Sequence, residues 1–110
     1  MIELGDFVVC EKDRTLNDKS GDEVSIEDKS LAVLLYLIAN KDKFVTLEEL
    51  HENVWSGRVV SDSAVRQSIA KLRKVLGDDS ESPQYIKSVP RKGYRLVCSI
   101  KYINIELKKT

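Results

Sequence analysis

The chain has 110 residues, 42% of them hydrophobic and 33% charged, which is enough for one compact core, too few for two domains, and unlike a disordered low-complexity chain. Its longest apolar run, Leu31 to Ala39, is nine residues, about half of what a bilayer span requires, so no membrane-crossing helix is expected. The formal net charge is zero, but residues 1–60 hold 7 Lys and Arg against 13 Asp and Glu while residues 61–110 hold 11 against 5; the positive second half is suited to face phosphate, although a solvated charge run is the commoner reading of any single basic cluster.

The N-terminus, Met-Ile-Glu-Leu-Gly-Asp, lacks the basic start and apolar middle of a secretory signal, so the cytoplasm is the expected compartment. Within the first 26 residues, Phe7 to Cys10 and Val24 to Ile26 are short apolar pieces separated by the turn-forming Asn17 to Asp22. Two or three short antiparallel strands are predicted here. From Glu27 to Asn40, apolar residues at Leu31, Leu34, Leu35 and Ile38, with Val33 and Leu37 beside them, predict a helix buried over most of its circumference. Phe44-Val45 is a short extended piece able to add one strand pairing.

Thr46 followed three residues later by Glu49 is a capping-box pattern, opening a short second helix that carries Leu47, Leu50, Val54 and Trp55 inward. Ser56-Gly57-Arg58 breaks it. A third helix opens at Ser61 or Asp62 and runs to Leu76, with Gly77 placed as its stop. The segments Tyr85 to Val89 and Tyr94 to Ile100 flank the turn Pro90-Arg91-Lys92-Gly93, a hairpin with a doubly basic tip. The fold class is therefore α+β, in the order sheet, three helices, hairpin, with residues 1–100 as the domain and 101–110 as a C-terminal extension or the start of a linker.

At 100° per residue, Val65, Ile69, Leu72 and Leu76 of the third helix fall within about 60° of one another and must face the core. Ser63, Gln67, Ala70, Lys71 and Lys74 fall on the far side, with Arg66 and Arg73 on a flank; from Arg66 to Lys74 there are four basic residues and no acidic one. Such a face suits a major groove. Gln bonds bidentately to adenine and Arg to guanine, a small residue permits close approach, and the remaining cations neutralise phosphates. The helix N-terminus offers backbone N–H groups to phosphate, opposed by Asp62 unless that carboxylate is engaged in capping. A lone basic helix is more often a solvated surface, but here the Arg91-Lys92 tip supplies a second basic prong.

Several segments together carry a resemblance: Val45-Thr46-Leu47-Glu48-Glu49-Leu50 with Val54-Trp55, then Val59 to Val65, Ile69 to Asp78, and Tyr85 to Leu96. From about Ile2 to Val97 the chain resembles the OmpR/PhoB-type winged helix-turn-helix effector domain, and within it the ToxR/CadC-like transmembrane activators, whose wing the Val89-Pro90-Arg91-Lys92-Gly93-Tyr94-Arg95-Leu96 run matches. The resemblance implies a four-stranded N-terminal sheet, a three-helix bundle with the third helix as reader, and a hairpin wing. Carried onto this sequence, it gives Ser63, Arg66, Gln67 and Ala70 as base-reading candidates, and Thr46, Lys71, Arg73, Lys74, Arg91 and Lys92 as phosphate or wing candidates. It implies double-stranded DNA as partner, a homodimer on DNA, and RNA polymerase contact through the loop holding Ser56, Gly57 and Arg58. A membrane would be reached only through a segment outside this chain, tethering the domain to the inner membrane.

The other polar residues have plainer readings. Trp55, Tyr94 and Phe44 are expected in packing, and His51 on the surface, with no acid or nucleophile pattern around it. Cys10 and Cys98 do not form a metal spacing with His51; reduced thiols in strands are expected, with a disulfide between the first and last strands left open. Asp78 to Ser82 lacks ordered calcium-loop spacing and is expected as a solvated acidic loop. No nucleophile–base pair, phosphate-cradling glycine loop or metal-ligand set is present, so no enzyme, cofactor, metal or small-molecule substrate is expected. The competing function is a winged-helix protein-interaction module that does not read bases.

Overall fold

The computed structural model describes residues 1–56 and 58–103. Its elements in chain order are β1 (Ile2–Leu4), β2 (Phe7–Cys10), β3 (Thr15–Asp18), β4 (Glu23–Val24), α1 (Asp28–Ala39), α2 (Leu47–Asn53), α3 (Asp62–Leu76), β5 (Ile86–Val89), β6 (Gly93–Leu96) and β7 (Ile100–Tyr102). This is the expected α+β order, with two corrections to the strands.

The first 24 residues form four strands, as the resemblance implies and more than the two or three read from the apolar pieces, because β1 pairs back on β2 through a two-residue turn at Gly5-Asp6, with Leu4 opposite Phe7. The segment from Tyr94 to Ile100 is not a single strand. After Leu96 the last hairpin bond runs from the Val97 N–H to the Tyr85 carbonyl at 2.8 Å, the chain bends, and β7 crosses to the other sheet. There it pairs antiparallel with β1, Tyr102 opposite Ile2 and Ile100 opposite Leu4, giving a five-stranded sheet in the order β4-β3-β2-β1-β7. Pairing through Tyr102 carries the sheet across the boundary expected at residue 100. Cys98 consequently sits in the bend and not in a strand, while Cys10 ends β2. Both thiols are free, and burial pushes the Cys98 thiol up, which keeps it protonated and poorly nucleophilic.

One face of the sheet presents Ile2, Leu4, Val9 and Leu16 to the core. Against it pack Leu31, Val33, Leu34, Leu37 and Ile38 of α1, Leu50 of α2 and the stripe Val65, Ile69, Leu72 and Leu76 of α3, all buried. Each such aliphatic contributes about 2 kcal/mol by leaving water, so the inner stripe of α3 fixes which face remains outside. Ser30 is the one buried polar residue among those described, and its hydroxyl donates to the Ser68 carbonyl at 2.9 Å, tying α1 to α3. Both ends of α3 stop as expected: Ser61 Oγ accepts from the Ala64 N–H at 3.0 Å, and Gly77 takes the left-handed conformation at φ +68°.

The hairpin β5–β6 is anchored at its base by two residues. Tyr85 turns from the hairpin to the first sheet, its hydroxyl accepting from the Asp6 N–H at 3.0 Å and its ring meeting Phe7 edge-on at 6.0 Å. Asp78 is not a solvated loop residue. Its carboxylate accepts from the N–H groups of Gln84, Tyr85 and Ile86 at 2.7, 3.1 and 2.9 Å. Asp78→Ala would orphan all three donors where the chain enters the core, so it is expected to destabilise the domain by about 2 kcal/mol, read as a shift in the urea midpoint at constant slope. A change of a few tenths would mean that the loop closes without this carboxylate.

Candidate functional site

Three elements converge on one side of the molecule: the N-termini of α2 and α3 and the tip of the hairpin. The first is fixed by a capping box. Thr46 Oγ1 accepts from the Glu49 N–H at 3.1 Å, and Glu49 Oε1 accepts from the Thr46 N–H at 3.3 Å. The other Glu49 oxygen accepts from the Tyr36 hydroxyl at 3.1 Å, and burial, with this bond second, pushes Tyr36 up from its ordinary phenol range. Because the Thr46 hydroxyl acts as acceptor in the cap and Thr46 is exposed, its proton is free to be donated outward.

Helix α3 presents Ser63, Arg66, Gln67, Ala70, Lys71 and Lys74 on its exposed face. Arg73 does not join them. Its Nη2 donates to the Ile86 carbonyl at 2.9 Å, and its Nε is buried with no partner, so this guanidinium clamps the hairpin to the helix instead of facing solvent. The reason is angular: Arg73 lies on the flank that β5 covers, about 70° from the core direction. On the opposite flank Lys71 reaches Glu27 at the start of α1, its Nζ 3.0 and 3.2 Å from the two carboxylate oxygens. Asp62 is not a cap. Its Oδ1 lies 2.9 Å from His51 Nε2, joining the first turn of α3 to the last turn of α2.

The hairpin tip is a tight turn closed by the Lys92 N–H donating to the Val89 carbonyl at 3.1 Å, with Pro90 second and Arg91 third at φ +69°. Pro at the second position and positive φ at the third describe a type II turn, in which glycine is the usual third residue. Below it, Phe44 supports Lys92, with Nζ 5.8 Å from the ring centroid, and Arg95, with its guanidinium carbon at 5.0 Å. Phe44 is thus packing, as expected, but packing under two cations. Val45 and Tyr94 exchange both backbone bonds, at 2.7 and 2.8 Å, and this single bridge binds the hairpin to the residue before the Thr46 cap.

These parts enclose one open groove of about 560 Å³ whose walls include Thr46, Arg66, Arg91 and Lys92. Its acids are Glu48 and Asp62, the latter held by His51. The first turn of α3 and the doubly basic tip therefore face the same space, as a pair of prongs must if they are to straddle one polyanion. The loop between α2 and α3 lies apart from it. There Ser56 and Arg58 are exposed, Gly57 lies outside the described residues, and Val59 is fully exposed at 103%. Among the described residues no group of three or more acids, histidines and cysteines is placed to hold a metal ion, and no helix is long and apolar enough to cross a membrane.

Sequence reasoning missed Glu27, Phe44 and Asp62 as partners of site cations and of His51. All three contacts join separate elements, and only the acid at the start of α3 left a local trace. Known proteins share this fold. The family described as "Transcriptional regulatory protein, C terminal" matches residues 21–96. The cholera toxin homolog transcriptional activator of Vibrio parahaemolyticus is 37% identical over 91 residues, covering 80% of this chain and 31% of that protein. The DNA-binding domain of Escherichia coli CadC superposes with a TM-score of 0.79 at 28% identity, covering 93% of this chain and 95% of that one. The DNA-binding domain of Klebsiella pneumoniae RstA, in complex with the RstA box, gives 0.75 at 25% identity, covering 86% and 94%. The chain spans between 20% and 38% of the length of three of the transcriptional activators to which it is similar in sequence.

Proposed function

The chain belongs to the OmpR/PhoB-type family of transcriptional regulatory C-terminal domains, with ToxR/CadC-like activators as its relatives, and from that premise we propose that α3 reads a DNA major groove while the β5–β6 wing grips the backbone or minor groove beside it. The domain binds double-stranded DNA as the output module of a transcription regulator. One observation carries the assignment of parts: Arg66 on α3 and Arg91 and Lys92 on the wing line the same groove. We assign Ser63, Arg66, Gln67 and Ala70 to base edges and Thr46, Lys71, Lys74, Arg91 and Lys92 to phosphates, a division that their exposure supports. Arg73 is left out of the DNA contacts and given the work of holding the wing.

The domain acts by binding and does no catalysis of its own. The α2–α3 loop, with Ser56, Gly57, Arg58 and the fully exposed Val59, is the surface we assign to RNA polymerase, because an exposed aliphatic beside a cation suits a protein partner better than a phosphate. Two copies on neighbouring half-sites and a tether to the inner membrane through a further segment complete the reading for the longer protein.

Selection from a random duplex library with the wild-type chain and with Gln67→Ala tests the base-reading face. The wild type is expected to enrich one motif, and Gln67→Ala to enrich the same motif with one position relaxed by about 1–3 kcal/mol. Equal loss of affinity on every sequence would remove Gln67 as a reader. No enrichment by the wild type, together with capture of a protein partner that survives high salt, would favour an interaction module instead.

A further inference from the structure

Lys71 differs from the other cations on the outer face of α3. Among the described residues Arg66 and Lys74 make no ion pair, whereas Lys71 is held by both oxygens of Glu27, and both partners are more than half exposed. Glu27 has no capping role to explain its position: it precedes α1, but its side chain caps nothing there. Its two contacts with the ammonium are those a phosphate would make. We propose that Glu27 is an internal phosphate mimic that positions Lys71 and removes it from the count of cations driving DNA binding, so that this carboxylate limits affinity for duplexes of any sequence. The inference rests on the DNA-binding reading above.

The argument follows from ion exchange. A free lysine that meets a phosphate releases a condensed counterion from the duplex, and that release makes binding tight and salt-dependent. Lys71 must first leave Glu27, or bring it along. If it stays paired, the contact brings no net positive charge to the duplex and displaces no counterion; if it leaves, the bared carboxylate stands near the phosphates and offsets the contact by repulsion. Either way the net release from this contact is near zero. Affinity for random sequence is almost wholly counterion release, so Glu27 lowers it, and lowers affinity for a specific site by the same factor, because a phosphate contact carries no sequence.

The test uses this chain with Glu27→Gln, Lys71→Met and the double substitution, each checked for wild-type melting, and a random 20-base-pair duplex titrated by fluorescence anisotropy across several NaCl concentrations. Glu27→Gln is expected to steepen the log–log salt slope by about 0.9 and to tighten binding about eightfold at 0.1 M salt, the gain from one phosphate contact. In the Lys71→Met background Glu27→Gln should change neither. An unchanged slope in the single variant, or equal tightening with and without Lys71, overturns the proposal; the latter would mean that Glu27 merely repels DNA. A wild-type chain that binds no duplex at any salt would instead remove the DNA-binding reading and this proposal with it.

Discussion

Gly93→Ala is expected to cost the domain about 4 kcal/mol and to lower its melting temperature by about 15 °C or more, while Gly77→Ala costs about 1 kcal/mol. Both glycines have positive φ, +111° and +68°, so a side chain is disfavoured at either. They differ in what surrounds them. A Cβ at position 77 meets nothing within 4 Å, whereas one at position 93 would overlap the Val45 carbonyl oxygen and lie 2.7 Å from its carbon and 3.1 Å from Thr46 Cα. Backbone cannot swing aside as a long side chain can, so the Val45–Tyr94 bridge must open. Opening it forfeits two backbone hydrogen bonds at about 1 kcal/mol each, beyond the conformational penalty. The wing tip would then lose its backbone tie to the residue before the Thr46 cap, and its spacing from that cap would no longer be fixed. Chemical denaturation of the two variants side by side checks the ranking, and a Gly93→Ala midpoint as mild as that of Gly77→Ala would show that the hairpin does not need this close approach.

Features written into local sequence were legible before any coordinates. Ser61 and Gly77 mark the ends of α3, the Thr46 and Glu49 pair starts α2, and the spacing of Val65, Ile69, Leu72 and Leu76 selects the buried face. These depend on contacts within one or two turns, where periodicity and capping chemistry act directly. The outer face of α3 followed by subtraction. What escaped was set by pairings distant in the chain. β7 joins β1 across nearly a hundred residues, and three residues of moderate apolarity do not announce a distant partner. Asp78 looked solvated because its run is acidic, although its three acceptor bonds go to backbone several residues on. Arg73 illustrates the limit at the site itself. A helical wheel puts it on the flank, but only the position of β5 decides that the flank is covered.

The wing is where charge and conformation can be separated in one variant. Arg91 sits at φ +69°, a region that costs an ordinary residue about 1 kcal/mol or more and glycine nothing. Arg91→Gly with Lys92→Ser therefore removes both cations and relieves the turn at the same time. Lys92 gives up its place over Phe44, worth about 0.5–1 kcal/mol at an exposed site, but Arg95 keeps its own at 5.0 Å, and the melting temperature is expected to stay near that of the wild type. DNA binding is not. If each cation neutralises one phosphate, the log–log salt slope flattens by about 1.8, and at 0.15 M salt affinity falls about 30-fold. The loss should be the same on a selected site and on a scrambled duplex, since phosphates carry no sequence, in contrast to the single relaxed position expected of Gln67→Ala. Anisotropy titrations on both duplexes decide it. A loss confined to one sequence would make the wing a reader of bases or groove shape, and an unchanged slope would mean that the shared groove of Arg66, Arg91 and Lys92 does not close around the backbone.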